Sequence, residues 1–249
     1  MRKYFASVAL IVLFCSLASR AAFVPGTSHP LIMLTEYNPW AMVVGSDTPS
    51  FALYDDGTLI YWGERNKTKQ YLSVHLSGEE TMAFLKSIQP DELGKIQESY
   101  ELTEATDQPT NVLICWTPGS SGSKKISVYG RPRALDSRPQ ALPEVLWNAL
   151  KLLQSYDSPK ATPWVPDYVE VMVWPYDYAK ESIDWPAGLP DLHDPNTVRH
   201  NDLYSIFVAS SHLEEIKAFL ARRGPKQAVK LNNKKWAMSV RLPFPHERP

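Results

Sequence analysis

Cysteine is nearly missing from this chain: Cys15 and Cys115 are the two in 249 residues. A disulfide-stapled scaffold and a paired-cysteine zinc or redox site are both excluded. Cys115 lies in the apolar run NVLICWT, where a lone thiol acts as a small buried hydrophobe. A nucleophilic role would need a neighbouring base and exposure, and the sequence offers no partner. An excess of one charge is missing too. Lys and Arg number 26 and Asp and Glu 27, so no basic surplus attracts nucleic acid or anionic lipid. There is no phosphate loop, no dinucleotide glycine pattern and no His-Glu-x-x-His. The Gly-Ser run at 119–123 lacks the spacing of a nucleophile elbow and reads as a turn between strands.

What is present begins at the N-terminus. Residues 1–21 carry Arg2 and Lys3, an apolar run from Val8 to Leu17, then Ser19 and Ala21. That is the layout of a secretory leader, with cleavage expected after Ala21. The apolar run falls short of the roughly 20 residues of a bilayer span, which disfavours the alternative of a retained anchor. Phe14 rather than a small residue precedes Cys15, against lipidation there. Three basic residues and no acidic one leave with the leader, so the mature chain is more acidic than the net charge of −1. The expected location is periplasmic or secreted, without stable membrane insertion after cleavage. Held by no disulfide, the chain must rely on its core, and 44% hydrophobic residues are enough to build one.

The stretch FALYDDGTLIYWG (51–63) predicts a hairpin. A two-residue type I′ loop at Asp56-Gly57 would set Phe51, Leu53, Ile60 and Trp62 on one buried face. A strand over Tyr71–Leu76 follows. Ser77 and Glu80 have the spacing of a capping box, so a helix starts there and stops before Pro90. Pro90 opens a second, short helix. NVLICWT and KKISVYG read as strands, and LPEVLWNALKLLQSY as an amphipathic helix with Pro143 at its first position. YVEVMVWPY and DLYSIFVAS are further strands. Ser211 and Glu214 repeat the capping-box spacing ahead of a helix that Gly224-Pro225 ends. The last segment predicts a hairpin. A turn at Asn233-Lys234 is preferred over Asn232-Asn233, because the latter sets Lys230 against Lys235. Hairpins with helices between them in small groups indicate an α+β fold, antiparallel sheets with helices packed on one face. The Pro-rich stretch 157–167 reads as a linker between an N-terminal unit, 22–156, and a C-terminal unit, 168–249.

Two clusters are candidate sites. The loop DLHDPNTVRHND holds Asp191, His193, Asp194, His200 and Asp202. Imidazoles and carboxylates suit a metal ion or acid–base work, with His193, His200 and Asp194 as candidate catalytic groups and Asp191, His193 and His200 as candidate ligands. The same composition also describes a polar loop that uses Asp and Asn for turns. The second cluster is aromatic. Trp164, Trp174, Tyr176, Tyr178 and Trp185 crowd one third of the chain, beside prolines that stiffen the backbone. Amphipathic rings of this kind stack on sugars or anchor protein partners. They also pin long loops to a core. The expected function is a non-enzymatic binding protein of the envelope or extracellular space, with a protein or glycan partner and no cofactor. The alternative is a metal-dependent or acid–base hydrolase that uses the 191–202 loop.

Overall fold

The computed structural model describes residues 28–116, 122–132 and 137–247. Residues 1–21, where a leader is expected, and most of the Gly-Ser run lie outside them. The fold is α+β, with two antiparallel-rich sheets. The first contains β1 (Pro30–Tyr37), β2 (Phe51–Tyr54), β3 (Thr58–Arg65), β4 (Thr68–His75), β5 (Ser99–Glu101), β6 (Thr110–Trp116), β7 (Ser123–Tyr129) and β8 (Thr162–Pro163). Their spatial order is β5-β7-β6-β1-β2-β3-β4-β8. The second contains β9 (Tyr168–Pro175), β10 (Ser182–Asp184), β11 (Val198–His200), β12 (Leu203–Ala209), β13 (Ala228–Leu231) and β14 (Lys234–Arg241), in the order β10-β13-β14-β9-β12-β11. Among the described residues only the short edge strands β5 and β10 pair in parallel.

Helices cover one face of each sheet. On the first lie α1 (Gly78–Ile88), α2 (Pro90–Leu93) and α3 (Glu144–Gln154). Leu85, Ile88, Leu93, Leu146 and Leu150 meet Ile32, Leu34, Phe51 and Leu72 there. On the second lies α4 (Leu213–Arg222), whose Ile216 and Phe219 pack on the valines of β9 and β12. The Ser77/Glu80 capping box is present in both directions, and Gln89 in left-handed conformation ends α1 before Pro90. The second box is not formed. A 3-10 turn, Ser210–His212, precedes α4 and draws Ser211 into itself, so His212 takes the cap position and its Nδ1 lies 3.0 Å from Glu215 Oε2.

Both hairpin registers differ from expectation, for separate reasons. At 51–63 the loop has three residues. Tyr54 O accepts from Gly57 N (3.1 Å), the Asp56 carboxylate accepts from Thr58 N (2.8 Å), and Gly57 alone adopts positive φ (+84°). This is a type I turn closed by a glycine bulge. It pairs Leu53 with Leu59, one residue away from the two-residue register, so every side chain of β3 changes face. Leu59 and Tyr61 enter the helix-side core, Ile60 faces the other way, and Trp62 is 43% exposed. At the C-terminal hairpin the turn is Asn232-Asn233, with φ of +48° and +63°, and Lys230 does oppose Lys235. The two registers differ by two residues, which leaves the faces unchanged, so apolar patterning could not choose between them. Two asparagines tolerant of left-handed backbone outweigh a like-charge pair at the surface.

A Gly57→Ala substitution follows directly. Its Cβ would come within 2.3 Å of Leu76 O, on backbone at φ +84°. The expected loss of stability exceeds about 1 kcal/mol. An unchanged urea midpoint would contradict the turn.

The two sheets exchange arms. Residues 38–50, between β1 and β2, cross to the second sheet, where Val43 is fully buried against Met172 and Ala237 and its N–H donates to Ser239 Oγ (3.0 Å). After β14 the chain returns to the first sheet. Phe244 is fully buried among Ala52, Tyr54 and Ile60. The stretch 157–167 is laid along the first sheet: Pro163 and Thr162 pair with β4, and Tyr61 Oη donates to Asp157.

Candidate functional site

The 191–202 loop uses its polar groups on itself. Asp191 accepts from His193 N (2.8 Å) and from the Asn232 amide (2.9 Å). That amide and the His193 N–H hold its carboxyl below the ordinary value. Asp194 accepts from Asn196 N, and Thr197 Oγ donates to Asp191 O. These are turn-forming bonds. The His193 side chain is largely exposed, 3.8 Å from Asp191 and 2.9 Å from the Asn232 amide at the β13–β14 turn. His200 stands on edge strand β11 and Asp202 in the turn beyond it, both exposed. The two imidazoles thus have different surroundings. Among the described residues, no three His, Cys, Asp or Glu side chains gather around a common point.

A buried polar chain, unmarked in the sequence, joins the sheets. Glu170, one of few charged residues inside a core strand, accepts from Ser205 Oγ (2.6 Å) and from Arg241 Nε (2.6 Å). Arg241 Nη1 reaches Glu247 (2.7 Å), and Glu247 accepts from Phe244 N (2.8 Å). Burial opposes the charge on Arg241, but Glu247 and Glu170 prevail and raise its pKa. A recess of about 270 Å³ opens beside this chain, with His200 at its rim. From Glu247 the chain reaches the Phe244 N–H of the C-terminal arm, and Arg241 Nη1 also lies 3.5 Å from Asp47 O in the 38–50 arm, so it ties both arms to the second sheet.

The C-terminal arm carries a titratable latch. His246 Nδ1 lies 2.7 Å from Tyr54 Oη, and burial first, then Arg241, lower the His246 pKa from 6.5 against the pull of Glu247. The unfolded chain therefore takes up this proton at higher pH than the folded one. Stability is fully present above about pH 6.5 and declines as pH falls below it. Between about pH 8 and pH 5 the wild type is expected to lose more stability than a His246→Gln variant in urea titrations. Equal losses would contradict the latch.

The aromatic set divides. Trp164 packs edge-on against Phe244 (5.0 Å) and Tyr71 (6.0 Å). Trp185 packs on Phe219 (5.5 Å) and donates Nε1–H to Pro190 O. Both pin chain to core. Trp174 is half-buried in a cluster with Met42, Tyr176 and Leu203. Tyr176 and Tyr178 stand at 89° with centroids 4.7 Å apart, and Tyr178 is 84% exposed. Their turn is rigid: Ala179 N donates to Tyr176 O, Tyr176 N to Lys235 O, and Lys235 Nζ to Ala179 O. A depression of about 490 Å³ lies beside them, lined also by Lys180, Glu181, Lys226 and Gln227.

Loop 38–44 adds to this surface and was only partly visible in the sequence. Met42 and Val43 pack on the Trp174 cluster, while Trp40 (73% exposed) and Val44 (66%) flank them and face solvent. Asn38 fixes the loop by accepting from Trp40 N and Ala41 N. A larger depression, about 660 Å³ between α1 and α2, offers one large exposed apolar side chain, Met82, beside Lys86, Gln89, Asp91 and Glu92. Cys115 is 1% exposed, and burial pushes its thiol up to about 12, so it acts as a core residue.

No family model, curated protein or solved structure matches this chain.

Proposed function

We propose that the chain is an exported, soluble, non-enzymatic binding protein. It engages an envelope or extracellular protein or glycan through the surface where loop 38–44 meets the Tyr176–Ala179 turn. The observation that carries this reading is the exposure of Tyr178 and Trp40 on backbone that hydrogen bonds hold in place. A large apolar ring in water is unfavourable, and a fixed backbone cannot fold it away. Rings presented in this manner lose little conformational freedom on binding. The leader pattern of residues 1–21 supports export. The hydrolase built on His193, His200, Asp194 and Asp191 has less support, because His193 sits against Asn232 at the β13–β14 turn, His200 stands on edge strand β11, and the carboxylates serve loop turns.

Tyr178→Ala and Trp40→Ala in the mature chain, residues 22–249, test the proposal. Stability is expected to change by no more than about 0.5 kcal/mol, since neither ring is buried. Crosslinked capture of a partner from an envelope extract of the host is expected to fail with both. Capture equal to the parent's would count against this surface.

A further inference from the structure

The depression beside Tyr178 is not a plain apolar hot spot. Its two rings meet at 89°, forming a corner with one wall on each ring. The exposed side chains of Lys180, Glu181 and Lys226 line it too, as does Gln227, whose amide oxygen accepts from Gly224 N (3.1 Å). Among the described residues none of these three charged groups is in an ion pair. Lys180 and Lys226 bring two ammonium groups to the lining and Glu181 one carboxylate; Asp177 lies in the same turn and Lys235 Nζ is held on Ala179 O, so cations outnumber carboxylates by one on a chain whose net charge is −1.

We infer that this corner binds an acidic saccharide, a glycan whose sugar units carry carboxylates; the inference rests on the binding surface proposed above. A pyranose presents an apolar C–H face and a rim of hydroxyls. The C–H face stacks on the electron-rich face of a tyrosine. The hydroxyls exchange for water at Glu181, which accepts, and at Gln227 and the lysines, which donate. The saccharide carboxylate meets Lys180 and Lys226. A protein hot spot fits less well, because the dry centre of a protein interface is depleted in Lys and Glu, whose desolvation is costly. A hydroxylated ligand leaves those groups hydrated or replaces their water in kind.

The test is titration calorimetry of the mature chain with two probes, a galacturonic acid oligosaccharide and the matching neutral galactose oligosaccharide. The acidic probe is expected to bind at least about tenfold more tightly. That preference is expected to shrink as salt rises from about 50 to about 200 mM, through screening of the lysines. Tyr178→Ala is expected to lower affinity for both probes, and Lys226→Gln to lower it for the acidic one alone. Equal binding of the two probes, or a preference that survives both Lys226→Gln and salt, would overturn the inference. Failure of both probes to bind, alongside Tyr178-dependent capture of a protein, would overturn the saccharide assignment and leave the surface standing. Failure of both probes, with capture indifferent to Tyr178, would overturn the two together.

Discussion

Replacing Phe244 by alanine is expected to cost about 3–5 kcal/mol of stability. The side chain is fully buried, 5.0 Å from the Trp164 ring and 5.5 Å from Tyr71. Its neighbours Ala52, Tyr54 and Ile60 belong to strands whose other face is already filled by helices, so they cannot move inward to close the gap. Phe244 also carries the bond between His246 and Tyr54 and the cap that Glu247 places on the Phe244 N–H. Its loss loosens the whole arm, not one contact. Urea unfolding followed by the summed fluorescence of the eight tryptophans gives the measurement. A shift below about 1 kcal/mol would mean that the arm is not seated as described.

The second large effect concerns Arg241. Removing its guanidinium as Arg241→Met leaves Glu170 buried with no cation, and a broken buried pair of this kind costs about 3–5 kcal/mol. The instructive comparison is the double variant Glu170→Gln with Arg241→Met. Neutralising the stranded carboxylate is expected to recover part of the loss, so the double variant is more stable than Arg241→Met alone. Residues in one hydrogen-bonded network are non-additive for this reason. Additive losses from the two single variants would show that Glu170 and Arg241 do not act on each other.

What the sequence made legible was local. The Ser77/Glu80 box and the stop at Pro90 depend on neighbours a few residues apart, and both stand in the fold. Register was less legible. Asp-Gly serves both two- and three-residue hairpin loops, and the choice here involves a distant bond, from Leu76 N to Gly57 O. The fate of each aromatic residue was least legible. Trp164 and Tyr178 look alike in sequence, each an aromatic residue within three residues of a proline. Trp164 is covered by Phe244, which arrives from the far end of the chain, whereas Tyr178 meets Tyr176 and stays 84% exposed. Glu170 was overlooked because a charged residue in a strand reads as facing water, whereas Arg241 and Ser205 satisfy it from adjacent strands. The same split rules out Trp185→Ala as a probe of binding, since that change removes a packing contact with Phe219.

Hydrogen exchange of the mature chain, alone and with the material it captures from an envelope extract, tests the binding surface most directly. The account predicts slowed exchange in peptides covering residues 38–47 and 175–181, with residues 82–92 between α1 and α2 unchanged. Slowing confined to 82–92, or none at 38–47 and 175–181, would contradict it.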